Sequence, residues 1–259
     1  MTSVALTICK TLGVRLPSSA EGSPLPEVAE SLKQTERLTV VVIDAFGVST
    51  WKKVKDRTLT FNKLRDLHGT VITSVMPSIT PVNFATMLTG ASPTIHGIRN
   101  REQPLRLETI FDVLRETGMV SATAARAKSS NGILISPHAD RPGVAASNLD
   151  SEVTEIACRM IDDDVNLLWV QLLDIDDAGH AHGPHSPEGA EAAGRADANL
   201  RIILDAARAK GYSIMVLADH GQHPSSDGNY KGVHGTDMPE DLNVPFLWAN
   251  NAELETVLG

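Results

Sequence analysis

Acidic side chains close three separate apolar runs of this chain. The runs cover residues 38–44, 167–174 and 213–219, and each ends on an aspartate. Short runs rich in Val, Ile and Leu are typical of parallel strands that are buried on both faces. In open α/β sheets, ligands bind beyond the carboxyl ends of such strands. The acids are therefore expected to converge on one edge of a sheet.

Histidines accompany these acids, and six of the nine lie between His180 and His234. Asp176 and His180 are four residues apart, which places them on one side of a helical turn. Asp219 and His220 are neighbours, so both reach one ion only where regular strand geometry has ended. Mixed oxygen and nitrogen donors suit Zn²⁺ or Mn²⁺. A single loop histidine is more often solvated, but the cluster as a whole predicts a metal site.

A hydroxyl stands at the start of a predicted helix. Thr80 precedes Pro81, and a hydroxyl residue followed by proline is typical of a helix N-terminus. Thr80 is therefore either a simple helix cap or a nucleophile, because the same end of a helix favours a phosphate. Asn83, one turn further on, is a candidate donor to a phosphoryl oxygen. Ser78 is the competing hydroxyl.

Composition narrows the class of protein. The chain has 259 residues, 42% of them hydrophobic, and a formal net charge of −9. This size allows one substantial core. The acidic balance argues against stable nucleic-acid binding. Cys9 and Cys158 are too few for a disulfide framework, and no apolar window is long enough to span a bilayer. Together with an N-terminus unlike a secretory signal, these features predict a cytoplasmic protein without membrane association.

Predicted strands and helices alternate along the chain. This alternation predicts an α/β fold with a doubly wound, mostly parallel sheet and helices on both faces. Residues 1–37 are predicted to form an N-terminal helical extension and linker, and residues 38–259 the catalytic domain. The main predicted strands cover residues 38–44, 70–75, 120–125, 213–218 and 244–248, and the main helices cover 82–89, 109–117, 148–162 and 188–210.

The order of motifs closely resembles the alkaline phosphatase superfamily, and specifically its type I phosphodiesterase/nucleotide pyrophosphatase family, whose members include phosphonoacetate hydrolase. The resemblance covers residues 38 to about 249. The matching segments are Val41-Val-Ile-Asp44-Ala-Phe-Gly47, Met76-Pro-Ser-Ile-Thr80-Pro-Val-Asn83, Leu88-Thr-Gly90, His96-Gly-Ile98, Asp176-x-x-Gly-His180, Asp219-His220-Gly221 and His234-Gly235.

The resemblance implies an alkaline phosphatase-like core with two divalent metal ions, Zn²⁺ first and Mn²⁺ or Mg²⁺ as alternatives. One ion would be held by Asp176, His180 and His234, and the other by Asp44, Asp219 and His220. Thr80 would attack phosphorus and form a phospho-threonine intermediate, with Asn83 stabilising the transferring group. The family spacing also selects Asp176 over the neighbouring Asp174 and Asp177.

Two basic residues are candidates for substrate binding. Arg126 and Lys128 resemble the basic pair that phosphonoacetate hydrolase presents to its substrate, although a solvated loop is an open alternative. A planar guanidinium could hold a carboxylate or phosphate through two hydrogen bonds. Residues 99–107 and 126–147 are the only room for a cap over the site, so the cap is expected to be reduced.

The resulting prediction is a metal-dependent hydrolase of phosphate esters, in first place a phosphodiesterase/nucleotide pyrophosphatase acting on a small phosphorylated substrate. A phosphomonoesterase or a phosphonate hydrolase is the alternative within the same class. The alternative from another class is a metal-stabilised binding protein that does not turn over a substrate.

Overall fold

The computed structural model describes residues 1–33, 35–226 and 229–259. Strands and helices alternate through these residues. The strands are β1 Leu38–Ile43, β2 Gly69–Thr73, β3 Ser121–Arg126, β4 Arg141–Ala145, β5 Leu167–Leu172, β6 Ser213–Leu217, β7 His223–Pro224, β8 Gly232–Val233 and β9 Asn243–Ala249. The α-helices are α1 Ser3–Leu12, α2 Pro26–Ser31, α3 Val48–Val54, α4 Leu59–Leu67, α5 Thr80–Thr89, α6 Pro93–His96, α7 Ile110–Glu116, α8 Asp150–Asp162, α9 Asp174–His182, α10 Pro187–Ala209, α11 Pro239–Leu242 and α12 Leu254–Leu258.

Seven strands form one mixed sheet in the order β2-β9-β6-β1-β5-β3-β4. The five strands from β6 to β4 are parallel to their neighbours, whereas β9 runs antiparallel to both β6 and β2. The prediction of a mostly parallel α/β sheet is confirmed. The three runs that end in aspartate are its adjacent central strands, β6, β1 and β5, so their carboxyl ends meet at one edge.

The central strands are buried along their whole length because helices cover the sheet. Their Val, Ile and Leu side chains join one hydrophobic cluster with the inward residues of α8 and α10. This explains why the runs do not alternate between apolar and polar residues. Within the residues that the structure describes, no helix is both long and apolar enough to cross a membrane.

The first helix belongs to the same core. Val4, Leu6, Ile8 and Cys9 of α1 are at most 1% exposed and join the central cluster. The amino group of Met1 also donates a hydrogen bond to the carbonyl of Thr73 at 3.0 Å. Helices α1 and α2 lie within residues 1–37, and the division of the chain at residue 38 stays a prediction.

Residues 126–147 build the edge of the sheet. Residues Asn131–Ile135 form a π-helical turn and Ser136–His138 a 3₁₀ turn. The chain then enters β4, which pairs in parallel with β3. This segment is the longer of the two that could have formed a cap over the site. Because it forms an edge strand instead, it agrees with the prediction that the cap is reduced.

Candidate metal centre

The predicted second ligand set comes together at the ends of two neighbouring strands. Asp44 directly follows β1, and Asp219 and His220 follow β6; all three are fully buried. One donor atom from each lies within 4.8 Å of the others. Nε2 of His220 lies 3.5 Å from Oδ1 of Asp44 and 3.3 Å from Oδ2 of Asp219. Two carboxylates and one imidazole therefore face one point.

The predicted first ligand set lies beside it. Asp176 and His180 are on α9, which follows β5, and His234 follows the short strand β8. Nε2 of His180 lies 3.4 Å from Oδ1 of Asp176 and 3.2 Å from Nε2 of His234. His220 also comes within 4.8 Å of Asp176 and His234, and its ring stacks on that of His234 with centroids 3.9 Å apart. The two sets therefore adjoin at these stacked histidines.

The three histidines present their Nε2 atoms to the cluster for a common reason. Nδ1 of His180 contacts the carbonyl of Gly232 at 2.8 Å, and Nδ1 of His234 contacts the carbonyl of Ser78 at 3.1 Å. Nδ1 of His220 lies 3.1 Å from the carbonyl of Gly221. A carbonyl accepts a proton donor, so each Nδ1 carries the hydrogen and each Nε2 keeps a lone pair. Metal-binding histidines are commonly oriented in this way.

The donor set fits divalent cations. Oδ2 of Asp219 is buried and makes no hydrogen bond to any residue that the structure describes. Burial, with the nearby Asp176 carboxylate, raises the pKa of Asp219 to about 7, and burial raises that of Asp44 well above its ordinary value. Burial lowers the pKa of His220, and it lowers that of His234 to about 3. The buried carboxylates have no positive charge beside them, because the neighbouring imidazoles are neutral. A divalent cation would supply that charge.

Two glycines allow the ligand loops to approach. A Cβ on Gly47 would lie 2.7 Å from Cα of Gly221, and a Cβ on Gly221 would lie 2.0 Å from the carbonyl oxygen of Glu240. Any larger residue would push apart the loops that carry Asp44 and His220. Ala45, directly after Asp44, adopts a φ of 58°, which costs a non-glycine residue about 1 kcal/mol or more. Such backbone strain is concentrated at functional sites.

Thr80 begins α5 and faces the second ligand set. Its Oγ1 lies 3.1 Å from Nε2 of His220 and 3.5 Å from Oδ1 of Asp44. The competing hydroxyl of Ser78 instead donates a hydrogen bond to the carbonyl of Thr236 at 2.7 Å. Of the two hydroxyls, only Thr80 therefore contacts the ligand residues, at the positive end of the helix dipole.

Asn83 is bonded within the loop that precedes α5. Its side chain is fully buried, and Oδ1 accepts hydrogen bonds from Oγ of Ser74 and the backbone N–H of Val75, both at 2.9 Å. Nδ2 donates to the carbonyl of Ile79 at 3.2 Å. Asn83 therefore braces the loop that leads into Thr80, and its donation to a phosphoryl oxygen stays a prediction.

Arg126 is likewise engaged in contacts within the protein. Its side chain is only 5% exposed and forms ion pairs with three carboxylates, those of Asp150, Asp174 and Asp177, at 2.5–2.6 Å. These ion pairs already neutralise the guanidinium, so they count against a substrate clamp at this residue, and the clamp stays a prediction. Asp174 and Asp177 are paired with Arg126 in this arrangement. Lys128 remains exposed beside a cavity of about 260 Å³ that Asp176 also lines.

Replacing Arg126 by Met is expected to destabilise the protein by about 3–5 kcal/mol, because Asp150, whose side chain is fully buried, would lose its counter-charge. Urea unfolding of the metal-free protein measures this loss. Lys128→Met is the matched control, since it removes the exposed cation two residues away. A free energy of unfolding for the Arg126 variant within about 0.5 kcal/mol of the wild type would contradict the structural role.

Three polar contributors to the site were not identified from the sequence. Gln171 and Gln222 are buried and donate hydrogen bonds to Asp44 and Asp176 respectively. The only signal for Gln171 was an amide inside the otherwise apolar run of β5. Asp241, also fully buried, accepts hydrogen bonds from the backbone and hydroxyl of Thr236, at 3.0 and 2.7 Å, and so supports the loop that carries His234.

One family model matches this chain over most of its length. The model of the type I phosphodiesterase / nucleotide pyrophosphatase family matches residues 38–104 and 110–253. The chain therefore belongs to this family, and the prediction of a phosphoester-hydrolase class of protein is confirmed at that level. No curated protein matches the chain significantly.

Solved structures of low sequence identity share the fold. Murine ectonucleotide pyrophosphatase/phosphodiesterase 5, solved in complex with AMP, has a TM-score of 0.67 and 16% identity over 86% of this chain and 94% of its own. Phosphonoacetate hydrolase from Sinorhizobium meliloti 1021, solved with phosphonoformate, has a TM-score of 0.59 and 18% identity over 76% of this chain. This chain spans only 59% of that hydrolase. The periplasmic domain of EcEptC from Escherichia coli, solved with Zn, has a TM-score of 0.59 and 15% identity over 88% of this chain and 76% of its own.

Proposed function

We propose that this protein is a phosphodiesterase that uses Thr80 as its nucleophile at a site for two divalent cations. The observation that carries the proposal is the position of Oγ1 of Thr80, which lies 3.1 Å from His220 and 3.5 Å from Asp44, two of the candidate ligands. A hydroxyl that only capped α5 would accept a hydrogen bond from the first turn of the helix, whereas among the described residues Oγ1 of Thr80 contacts His220 and Asp44.

The chain's own residues then act in two displacements. Oγ1 of Thr80 forms a bond to phosphorus while the bond from phosphorus to one ester oxygen breaks. The threonine proton passes to solvent, and the departing oxygen takes a proton from solvent and leaves as an alcohol. Water next replaces Thr80 at phosphorus and restores its hydroxyl. Bound divalent cations would supply charge to the phosphoryl oxygens and lower the pKa of the attacking hydroxyl and water. The start of α5 further favours negative charge beside Thr80.

Two ions are proposed because the cluster offers two ligand sets. Asp176, His180 and His234 form one, and Asp44, Asp219 and His220 form the other. Zn²⁺ suits three protein ligands of nitrogen and oxygen with an open position for substrate or water, and Mn²⁺ or Mg²⁺ are the alternatives. The proposed substrate is a small phosphorylated molecule, and the proposed compartment is the cytoplasm, which cell fractionation would test.

A paired assay tests the preference for diesters. In the presence of Zn²⁺ or Mn²⁺, we expect hydrolysis of bis-p-nitrophenyl phosphate to exceed that of p-nitrophenyl phosphate by about tenfold or more in kcat/KM. A chelator should remove both activities, and added metal should restore them. Thr80→Ala, purified in the same way, controls for contaminating phosphatases. A higher kcat/KM for the monoester would instead support the phosphomonoesterase alternative.

If the protein hydrolyses neither ester, the remaining candidate functions are a phosphonate hydrolase and a binding protein. Phosphonoacetate separates these two, because only the hydrolase releases inorganic phosphate from it. The neutralisation of Arg126 by three carboxylates counts against the phosphonate hydrolase, since it removes one of the two basic residues on which that alternative depended.

A further inference from the structure

Two buried side-chain amides contact the candidate ligand carboxylates, one in each set. Gln171 on β5 is fully buried, and its Nε2 donates to Oδ2 of Asp44 at 2.5 Å. Gln222 is 1% exposed, and its Nε2 donates to Oδ1 of Asp176 at 2.8 Å. The two glutamines come from different strands and loops, so each reaches its carboxylate independently of the other.

Packing alone does not explain an amide at Gln171. The residue lies opposite Val42 in the register of β1 and β5, within a run that is otherwise apolar. Burying an amide is costly unless its polar atoms are bonded. Here both ends are bonded, because Oε1 accepts the backbone N–H of Asn131 at 3.1 Å. Methionine would fill a similar volume without that cost, which indicates that the position requires the two hydrogen bonds, to Asp44 and to Asn131.

The contact with Gln171 selects the oxygen that Asp44 presents. Because Oδ2 is held by the amide, Oδ1 faces the cluster, 3.5 Å from both Nε2 of His220 and Oγ1 of Thr80. A carboxylate without this contact would be free to rotate and exchange its two oxygens. Gln171 therefore reduces the reorganisation that ion binding needs.

Gln222 restrains Asp176 in a different way. Its Nε2 approaches the same Oδ1 that lies 3.4 Å from His180 and 3.7 Å from His234, and it also contacts the backbone carbonyl of Asp176 at 3.3 Å. Gly179 leaves room for the amide, since a Cβ there would lie 1.8 Å from Oε1 of Gln222. The glutamine thus ties the first turn of α9 to the loop after β6.

We propose that Gln171 and Gln222 are positioning residues, each of which secures one of the two cations by holding one ligand carboxylate. Gln171 would serve the ion of Asp44, and Gln222 the ion of Asp176. This inference rests on the proposed two-ion function. Loss of such an outer hydrogen bond typically lowers metal affinity 10–100-fold.

The test measures Zn²⁺ affinity by competition with a chromophoric chelator, in proteins reduced to one site. In a His180→Ala background, which keeps the second ligand set, Gln171→Met should weaken binding 10–100-fold and Gln222→Met should not change it. In an Asp219→Asn background, which keeps the first set, the two effects should be reversed. Thr39→Val is the control, because it alters a buried side chain of β1 outside the cluster.

Other results would overturn the inference. Unchanged affinity in both backgrounds, with only the stability of the metal-free protein altered, would assign the glutamines to packing. Equal weakening of both sites by each variant would refute the separate assignment. If a methionine variant does not fold, Gln171→Asn and Gln222→Asn give the same comparison. Each keeps an amide, but the shorter side chain does not reach the carboxylate. Failure of the otherwise wild-type protein to bind two ions would instead refute the proposed function itself.

Discussion

Replacing Thr80 by Ala is expected to lower kcat for diester hydrolysis by roughly a thousandfold or more, because the proposed reaction loses its nucleophile. Oγ1 of Thr80 is the hydroxyl oxygen that lies 3.1 Å from His220 and 3.5 Å from Asp44. The alanine variant should keep both ions, since the six candidate ligands are untouched. Steady-state kinetics together with metal analysis of the same preparation measures both quantities.

Thr80→Ser is the matched control for this experiment. It keeps a hydroxyl at the start of α5, so it should retain far more activity than the alanine variant. A second arm is the thermal unfolding of the loaded proteins, which should be similar for all three. Turnover by Thr80→Ala at the wild-type rate would remove Thr80 as the nucleophile, whatever the metal content.

Replacing Asp219 by Asn is expected to remove one of two bound ions and to lower kcat by roughly a thousandfold, which corresponds to several kcal/mol of lost charge stabilisation. Asp219 is fully buried, and its Oδ2 has no hydrogen-bond partner within the described part of the chain. Asp197→Asn is the matched control. That carboxylate is also buried, but it accepts the backbone N–H groups of Thr60 and Phe61 outside the cluster, so both ions should remain.

The same substitution should have the opposite effect on stability when metal is absent. Burial raises the pKa of Asp219 to about 7 from an ordinary 3.8. The folded metal-free protein therefore binds a proton that the unfolded chain has lost, and its stability falls as the pH rises from about 4 to about 7. At pH 8 the asparagine variant should be more stable by on the order of 4 kcal/mol.

Urea unfolding in chelator at several pH values measures this difference. The advantage of the asparagine variant should shrink steadily as the pH is lowered toward 4, because the wild-type carboxyl then becomes protonated in both states. The lowered pKa values of His220 and His234 act on both proteins, whereas the raised pKa of Asp44 should fall in the variant, because the charge of Asp219 contributes to it. A metal-free wild type that is the more stable protein at pH 8 would contradict the idea that Oδ2 of this buried carboxylate lacks a partner.

The sequence was sufficient to predict the elements that position the site. β1, β5 and β6 are buried on both faces, so the sequence of each strand is a continuous apolar run. The three strands are parallel, which brings their carboxyl ends to the same edge of the sheet. The spacing of Asp176 and His180 reflects one turn of α9. His234 was harder to place, because it depends on a loop held by Asp241 through Thr236. The family motifs, rather than periodicity, selected it.

Other features depend on contacts that local sequence does not encode. Arg126 resembled a substrate-binding residue because its neighbours along the chain resemble a known pattern. Its partners Asp150, Asp174 and Asp177 lie 24 to 51 residues away, so its neutralisation was invisible until the fold brought them together. The contacts of Asn83 were hidden for a similar reason, since Ser74 and Val75 bond to its amide oxygen only once the fold is formed. Strand β4 was not predicted either, because Arg and Pro begin this exposed edge strand.

The stereochemistry of hydrolysis tests the central claim most directly. A phosphorothioate diester that is chiral at phosphorus would be hydrolysed in ¹⁸O-labelled water, and the configuration of the product determined. Attack by Thr80 followed by water makes two in-line displacements, each of which inverts phosphorus, so we predict overall retention. Overall inversion would show that water attacks the diester directly, and it would contradict a covalent intermediate on Thr80.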